Sequence, residues 1–256
     1  MYFDKEKIST SLGKYQNEVD IKIYDETEST NKLAKETDYS HNTLFIAKKQ
    51  NAGRGRLGRS FLSPDGGIYM SLGLYPNIPI EKTLMITPMT AVAICRAISS
   101  LTSLSPKIKW VNDIFLDGKK VCGILTESVS KENGLNIIVG IGINVVNPKD
   151  GFDESIKDIA GAFFEKSEDV PTDFYTLLVG AIVREFLDLY SNLPNCDFIE
   201  EYRRLCFVIG KDITVISGDT RTPAHAFAID ENCRLGIRHQ DGREEFLFGG
   251  EISIRF

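Results

Sequence analysis

Thr43-Leu44-Phe45-Ile46-Ala47, then Gly53-Arg54-Gly55-Arg56-Leu57-Gly58-Arg59, then Gly67-Ile68-Tyr69-Met70-Ser71-Leu72-Gly73-Leu74-Tyr75: two apolar runs enclose a loop with three arginines and three glycines in seven residues. The flanking runs read as strands. The chain carries a formal net charge of -6, so this cationic density is local. Glycine lets backbone approach a ligand closely and reach φ > 0. Arginine supplies a planar fork of donors suited to carboxylate and phosphate. The stretch therefore predicts a mobile loop, borne by ordered strands, that folds around a small anion. The competing reading, an arginine–glycine nucleic-acid segment, calls for low-complexity surroundings that are absent here.

The 256 residues suffice for one large domain or one domain plus a small one, and 42% hydrophobic with 26% charged content is ordinary for a globular chain. Five scattered cysteines (Cys95, Cys122, Cys196, Cys206, Cys233) form no C-x-x-C pair, which predicts reduced thiols and a cytoplasmic location. Residues 1–7 lack the apolar core of a secretory signal, and the longest apolar stretch, 137–146, is far short of a membrane span. His41, His225 and His239 are isolated, which predicts surface or loop histidines and no metal site. Neither a G-x-S-x-G elbow nor a Walker A loop is present.

Residues 19–24 alternate like a strand, and Ser29-Thr30-Asn31 then opens a helix as an N-cap cluster. Residues 81–101 have helical spacing with Pro88 as the irregularity; 107–110 and 121–127 read as strands around a turn at Asp117-Gly118. Residues 135–146 are continuously apolar, a strand buried on both faces. Residues 173–190 form an amphipathic helix with Phe174, Leu177, Leu178, Ala181, Ile182, Phe186 and Leu189 on one face. From Phe207 onward, short strands at 213–216, 222–229, 234–238, 244–248 and 252–256 predict a small β-barrel. The expected fold is α+β: a mixed β-sheet core with flanking helices over 1–206 and a C-terminal barrel over 207–256.

Four segments in fixed order carry a family resemblance: Ser29-Thr30-Asn31; Gln50 leading into loop 53–59; Lys109-Trp110-Val111-Asn112-Asp113 followed by Lys120-x-x-Gly123-Ile124-Leu125; and Gly140-Ile141-Gly142-Ile143-Asn144-Val145. The set resembles biotin–protein ligases over essentially the whole chain. The resemblance implies a core like that of class II aminoacyl-tRNA synthetases and an SH3-like C-terminal barrel. Two departures stand out: Val111 where the family usually has Pro, and Phe61 where it often has Trp. Neither removes a polar group. The first core strand begins near residue 19, so the expectation is a ligase without a DNA-binding repressor domain.

What the resemblance implies is formation of biotinyl-5′-adenylate from biotin and ATP, with Mg²⁺, followed by transfer to a lysine of a biotin carboxyl carrier domain of a carboxylase or decarboxylase. No DNA or membrane partner is expected, and a homodimer stays open. It assigns Ser29, Thr30, Asn31, Gln50, Gly53, Arg54, Gly55, Arg56, Lys120 and Gly123 to biotin, and Arg54, Arg56, Arg59, Lys109, Asn112 and Asn144 to ATP. Lys120, Arg56 and Asp113 are the catalytic candidates. Lys120 would be a cationic clamp beside a solvated Lys119. Asp113 could orient the acceptor lysine, accept its proton or help hold Mg²⁺. Trp110 is nucleotide wall or core, with core favoured. The competing functions are a lipoate–protein ligase of the same broad fold and a non-enzymatic RNA-binding protein.

Overall fold

A computed structural model describes residues 3–75, 80–131 and 134–254. The chain runs α1 (Lys5–Ser11), β1 (Asp20–Thr27), α2 (Thr30–Glu36), β2 (Thr43–Gln50), β3 (Gly67–Leu74), α3 (Ile86–Leu101), β4 (Lys107–Lys109), β5 (Asp113–Leu116), β6 (Lys119–Lys131) and β7 (Gly134–Asn144). It continues through α4 (Phe174–Ser191), α5 (Ile199–Leu205), β8 (Lys211–Ser217), β9 (Thr220–Ile229), β10 (Leu235–His239), β11 (Glu244–Leu247) and β12 (Glu251–Ile254). The larger sheet has the order β1-β2-β3-β7-β6-β5-β4, parallel only between β1 and β2.

The two faces of this sheet differ in chemistry because side chains alternate along a strand. On one face Met70, Ile141, Ile124 and Ile108 are buried under the helical layer. There α3 packs on α4, and α4 on α1. Helix α4 is buried on most sides, so the expected single apolar face is too narrow; Leu177, placed on it, is 41% exposed. Pro88 is the third residue of α3, where its missing N–H breaks no helical bond. The segment Lys82–Leu101 is long and apolar enough to cross a membrane by length and composition, and 67% of its apolar 18-residue window is buried inside the protein. On the opposite face, α2 covers Phe45 and Ile138 through Ala34. Strand β7 is therefore buried on both sides, as its apolar run implied.

The second sheet is antiparallel with the order β11-β10-β9-β8-β12. Its edge strands β11 and β12 are joined by only Phe248-Gly249-Gly250. Laid flat, five strands would hold those edges about 19 Å apart. The connection reaches about 14 Å at most. The sheet must curl toward closure, which is the barrel. The expected strand over 252–256 ends at Ile254, with residues 255 and 256 outside the described residues. The barrel is fastened to the core: Trp110 is buried, donating its indole N–H to the Cys233 carbonyl at 2.9 Å, and Arg203 Nε donates to the Ile229 carbonyl at 2.8 Å. Trp110 is thus core.

All five cysteines are free. Burial pushes the Cys95 and Cys206 thiols up to about 12 and about 11. His225 and His239 lie within β9 and β10 and not in loops, each beside a carboxylate (Asp212 and Glu245).

Candidate active site

The sheet register builds the floor of a cleft. Tyr69 on β3 opposes Gly142 on β7, which opposes Gly123 on β6, which opposes Asp113 on β5, which opposes Lys109 on β4. One pair further along, Ser71 opposes Gly140, which opposes Leu125. The glycines are required by what lies on them. A Cβ on Gly142 would stand 2.5 Å from Phe61 Cε1, and one on Gly140 would stand 2.1 Å from Asn31 Oδ1. Stripping this patch to backbone leaves a narrow cleft of about 40 Å³ that opens to solvent. Ser29, Thr30, Asn31, Gln50, Arg54, Gly55, Arg56, Asn112 and Gly123 line it, together with Phe61.

The polar end of the cleft is a bonded network. Thr30 donates its backbone N–H to Gln50 Oε1 at 2.8 Å, and Gln50 Nε2 donates to Ser63 Oγ at 2.8 Å. Asn31 Nδ2 donates to Glu127 Oε2 at 2.8 Å, and its Oδ1 accepts from Ser71 Oγ at 2.6 Å. Ser29 occupies the N-cap position of α2, yet its side chain makes no capping bond. Its buried hydroxyl stays available to a ligand, which decides against the plain cap.

Loop 53–59 borders the other end. Gly53 is buried, and a Cβ there would meet the Phe61 carbonyl at 2.3 Å, so this glycine serves the loop's own return and not ligand approach. Gly55 has no contact under 3.5 Å at its Cβ position and lines the cleft. Arg56 Nη1 donates to Asn112 Oδ1 at 2.7 Å and Nη2 to the Gly250 carbonyl at 2.8 Å. Asn112 Nδ2 is committed to the Ile124 carbonyl at 2.9 Å, so Asn112 orients Arg56 from a buried position. Arg59 pairs with Glu251 on β12. Arg54 is exposed at the mouth and, among the described residues, has no hydrogen-bonded or ion-paired partner. Two of the three loop arginines are thus held by the barrel end before any anion arrives.

Lys120 Nζ stands 2.7 Å from Asp113 Oδ1 and 3.4 Å from where a Cβ on Gly123 would be. Its amine therefore overhangs the glycine floor. The register explains how it gets there. Ile114 opposes Cys122 but Phe115 opposes Lys120, so Val121 is an extra residue in β6. Such a bulge re-aims the next side chain. Without it, Lys120 would point into the helical layer. Lys119 donates to the Asp158 carbonyl at 2.7 Å, tying down the segment that follows Asp153. Burial holds the Lys109 ammonium below its ordinary value, Asp113 opposing that and Lys120 adding to it.

A second, larger cleft adjoins the first through Gln50 and Phe61; it contains Arg59, Lys120 and Asn144 and is walled by residues 148–160. Asn144 Nδ2 donates to the Gly161 carbonyl at 3.0 Å there. Lys109 and Gly53 line neither cleft. Sequence reasoning singled out neither Ser63, Ser71 and Glu127 nor residues 148–160. Among the described residues no group of three or more His, Cys, Asp or Glu is placed to hold a metal ion.

Residues 22–144 match the biotin/lipoate A/B protein ligase family. The chain is 30% identical over 242 residues to the biotin–[acetyl-CoA-carboxylase] ligase of Paracoccus denitrificans, covering 88% of this chain and 98% of that one. It is 44% identical over 144 residues to the bifunctional ligase/repressor BirA of Bacillus spizizenii, covering 54% of this chain and 44% of that protein, so it spans less than half of that relative's length. Its fold is similar to the biotin protein ligase from Aquifex aeolicus in complex with biotin and ATP, with a TM-score of 0.74 at 27% identity, covering 92% of this chain and 98% of that chain.

Proposed function

This chain belongs to the biotin/lipoate A/B protein ligase family, and we propose that it acts as a biotin–protein ligase. A biotin carboxylate oxygen attacks the α-phosphorus of ATP and pyrophosphate leaves. A lysine amine of a biotin carboxyl carrier domain then attacks the acyl carbon of the adenylate, and AMP leaves. The observation that carries this reading is the glycine-floored cleft, which runs from neutral hydrogen-bonding groups (Ser29, Thr30, Gln50) to cations (Arg54, Arg56, Lys120). A ureido ring matches the first end and a carboxylate the second.

Bringing a carboxylate up to a polyphosphate sets like charges together, and positioned cations offset that repulsion. Lys120 overhangs the floor where the two would meet, and Arg56 is braced by Asn112 and the barrel. The larger cleft, with Arg59 and Asn144, receives the nucleotide. Mg²⁺ would arrive on its phosphates, shielding their charge; Asp113 offers one carboxylate, which suits a cation held mainly by substrate oxygens. The reading further carries a cytoplasmic setting, no DNA partner and a homodimer as its open assembly state. Intact mass of a biotin carboxyl carrier domain after incubation with the chain, biotin and Mg-ATP tests it: one biotinyl increment is expected, and an unmodified carrier would overturn it. Tight calorimetric binding of lipoate with silence toward biotin would instead favour the lipoate alternative.

Loop 53–59 should gain order with ligand. Leu57 sits at its tip, 77% exposed and with φ of 54°, and Arg54 is unpaired among the described residues. An anion that engages Arg54 gives the loop the contact it lacks. Slower amide exchange over 53–60 on adding biotin is the expected result, and equal protection in both states would count against it.

A further inference from the structure

We infer that Ile159, Ala160 and Gly161 act as a substitute strand that aims Lys120, so that the wall of the larger cleft positions the amine of the smaller one. The inference rests on the biotin-activating reading above and adds to it positioning residues that lie outside the four sequence motifs.

Lys120 needs such a partner because of where the ladder stops. Strand β6 last pairs with β7 at Cys122↔Ile143, and β7 ends one residue later at Asn144. Lys120 lies beyond that pair and next to the Val121 bulge, where a ladder is locally disrupted. Strand β5 flanks it on one side through Phe115. On the other side, residues 159–161 take the place of β7. The Lys120 N–H donates to the Ile159 carbonyl at 2.7 Å, and the Lys120 carbonyl accepts from the Gly161 N–H at 2.9 Å. The two bonds bracket Ala160 in a parallel bridge.

These bonds act on the side chain through the backbone. The N–H belongs to the peptide plane before Cα and the carbonyl to the plane after it. Holding both planes fixes φ and ψ, and with them the direction of the Cα–Cβ bond. That direction brings Nζ to 2.7 Å from Asp113 Oδ1. The substitute strand is itself fastened. Asn144 Nδ2 donates to the Gly161 carbonyl at 3.0 Å, and the Ala160 N–H donates to the Ile156 carbonyl at 2.7 Å. A Cβ on Gly161 would stand 2.6 Å from Lys119 Cβ, so glycine lets the segment come this close to β6. Ile159 and Ala160 also line the larger cleft beside Lys120. One short segment therefore borders the nucleotide space and holds the backbone of the lysine.

Single-turnover pyrophosphate release by the full chain tests this with Gly161→Pro, which removes the N–H given to the Lys120 carbonyl. The rate should fall roughly ten- to a hundredfold, as a group misplaced by about 1 Å would cause, while calorimetric biotin affinity stays near that of the wild type. In a Lys120→Ala background the same substitution should cost nothing further, because its effect passes through the lysine. A loss of equal size in both backgrounds, or no loss in folded Gly161→Pro, overturns the inference. Should that variant not fold, amide exchange in the wild type decides: the Lys120 N–H should exchange more slowly once Mg-ATP fills the larger cleft, and an unchanged rate overturns it. A wild type that releases no pyrophosphate with biotin and Mg-ATP would sink the underlying reading instead, a result distinct from all of these.

Discussion

Lys120→Ala lowers the rate of pyrophosphate release on the order of 10²–10³ while changing biotin affinity far less. The amine is held 2.7 Å from Asp113 and overhangs Gly123, so it is preorganised beside the reacting groups. Charge builds there in the transition state more than in the bound ground state, and the loss belongs in rate. Lys119→Ala is the control. Its ammonium is exposed and ties only the Asp158 and Lys157 carbonyls, so a change within about fivefold is expected. Single-turnover pyrophosphate release for both variants decides it. A crippled Lys119→Ala with active Lys120→Ala would mean that the bulge does not re-aim β6 as described.

That lysine pair shows where the sequence is legible and where it is not. Strict alternation backward from Gly123 places Val121 and Lys119 on the cleft face and Lys120 in the core. The bulge at Val121 reverses this, and no local residue type announces it. Only the family resemblance pointed to Lys120. The Asp117-Gly118 turn was legible because both residues adopt positive φ, 47° and 78°, which Asp and Gly tolerate. Its first arm was misplaced: the hairpin uses β5, a four-residue strand too short for periodicity to register, while β4 lies one strand further out. Helices α1 and α5, seven residues each, escaped for the same reason. The site divides likewise. Arginines, glycines and the Ser29–Asn31 cluster carry their chemistry in their type and spacing. Ser71 and Glu127 are ordinary strand residues until the sheet brings them to partners 40 and 96 positions away.

Gly140→Ala abolishes tight biotin binding, a loss of roughly a hundredfold or more. The added methyl would stand 2.1 Å from Asn31 Oδ1, 2.8 Å from Cγ and 2.9 Å from Nδ2, so the whole amide must move. Asn31 is 4% exposed and is bonded to Ser71, Glu127 and the Leu125 carbonyl, so it cannot yield without leaving buried polar atoms unpaired. Each such atom costs on the order of 1–3 kcal/mol. Melting temperature should fall together with calorimetric affinity for biotin. Gly142→Ala brings a methyl comparably close, 2.5 Å from Phe61 Cε1, but its neighbour is a half-buried ring between the two clefts that can swing outward. Its expected cost is therefore smaller and falls mainly on closure over the ligand. The two variants add the same methyl to the same strand, two residues apart. If Gly142→Ala proved the more damaging to biotin affinity, or Gly140→Ala bound biotin as the wild type does, the Asn31 network would not be what holds the ring of the substrate.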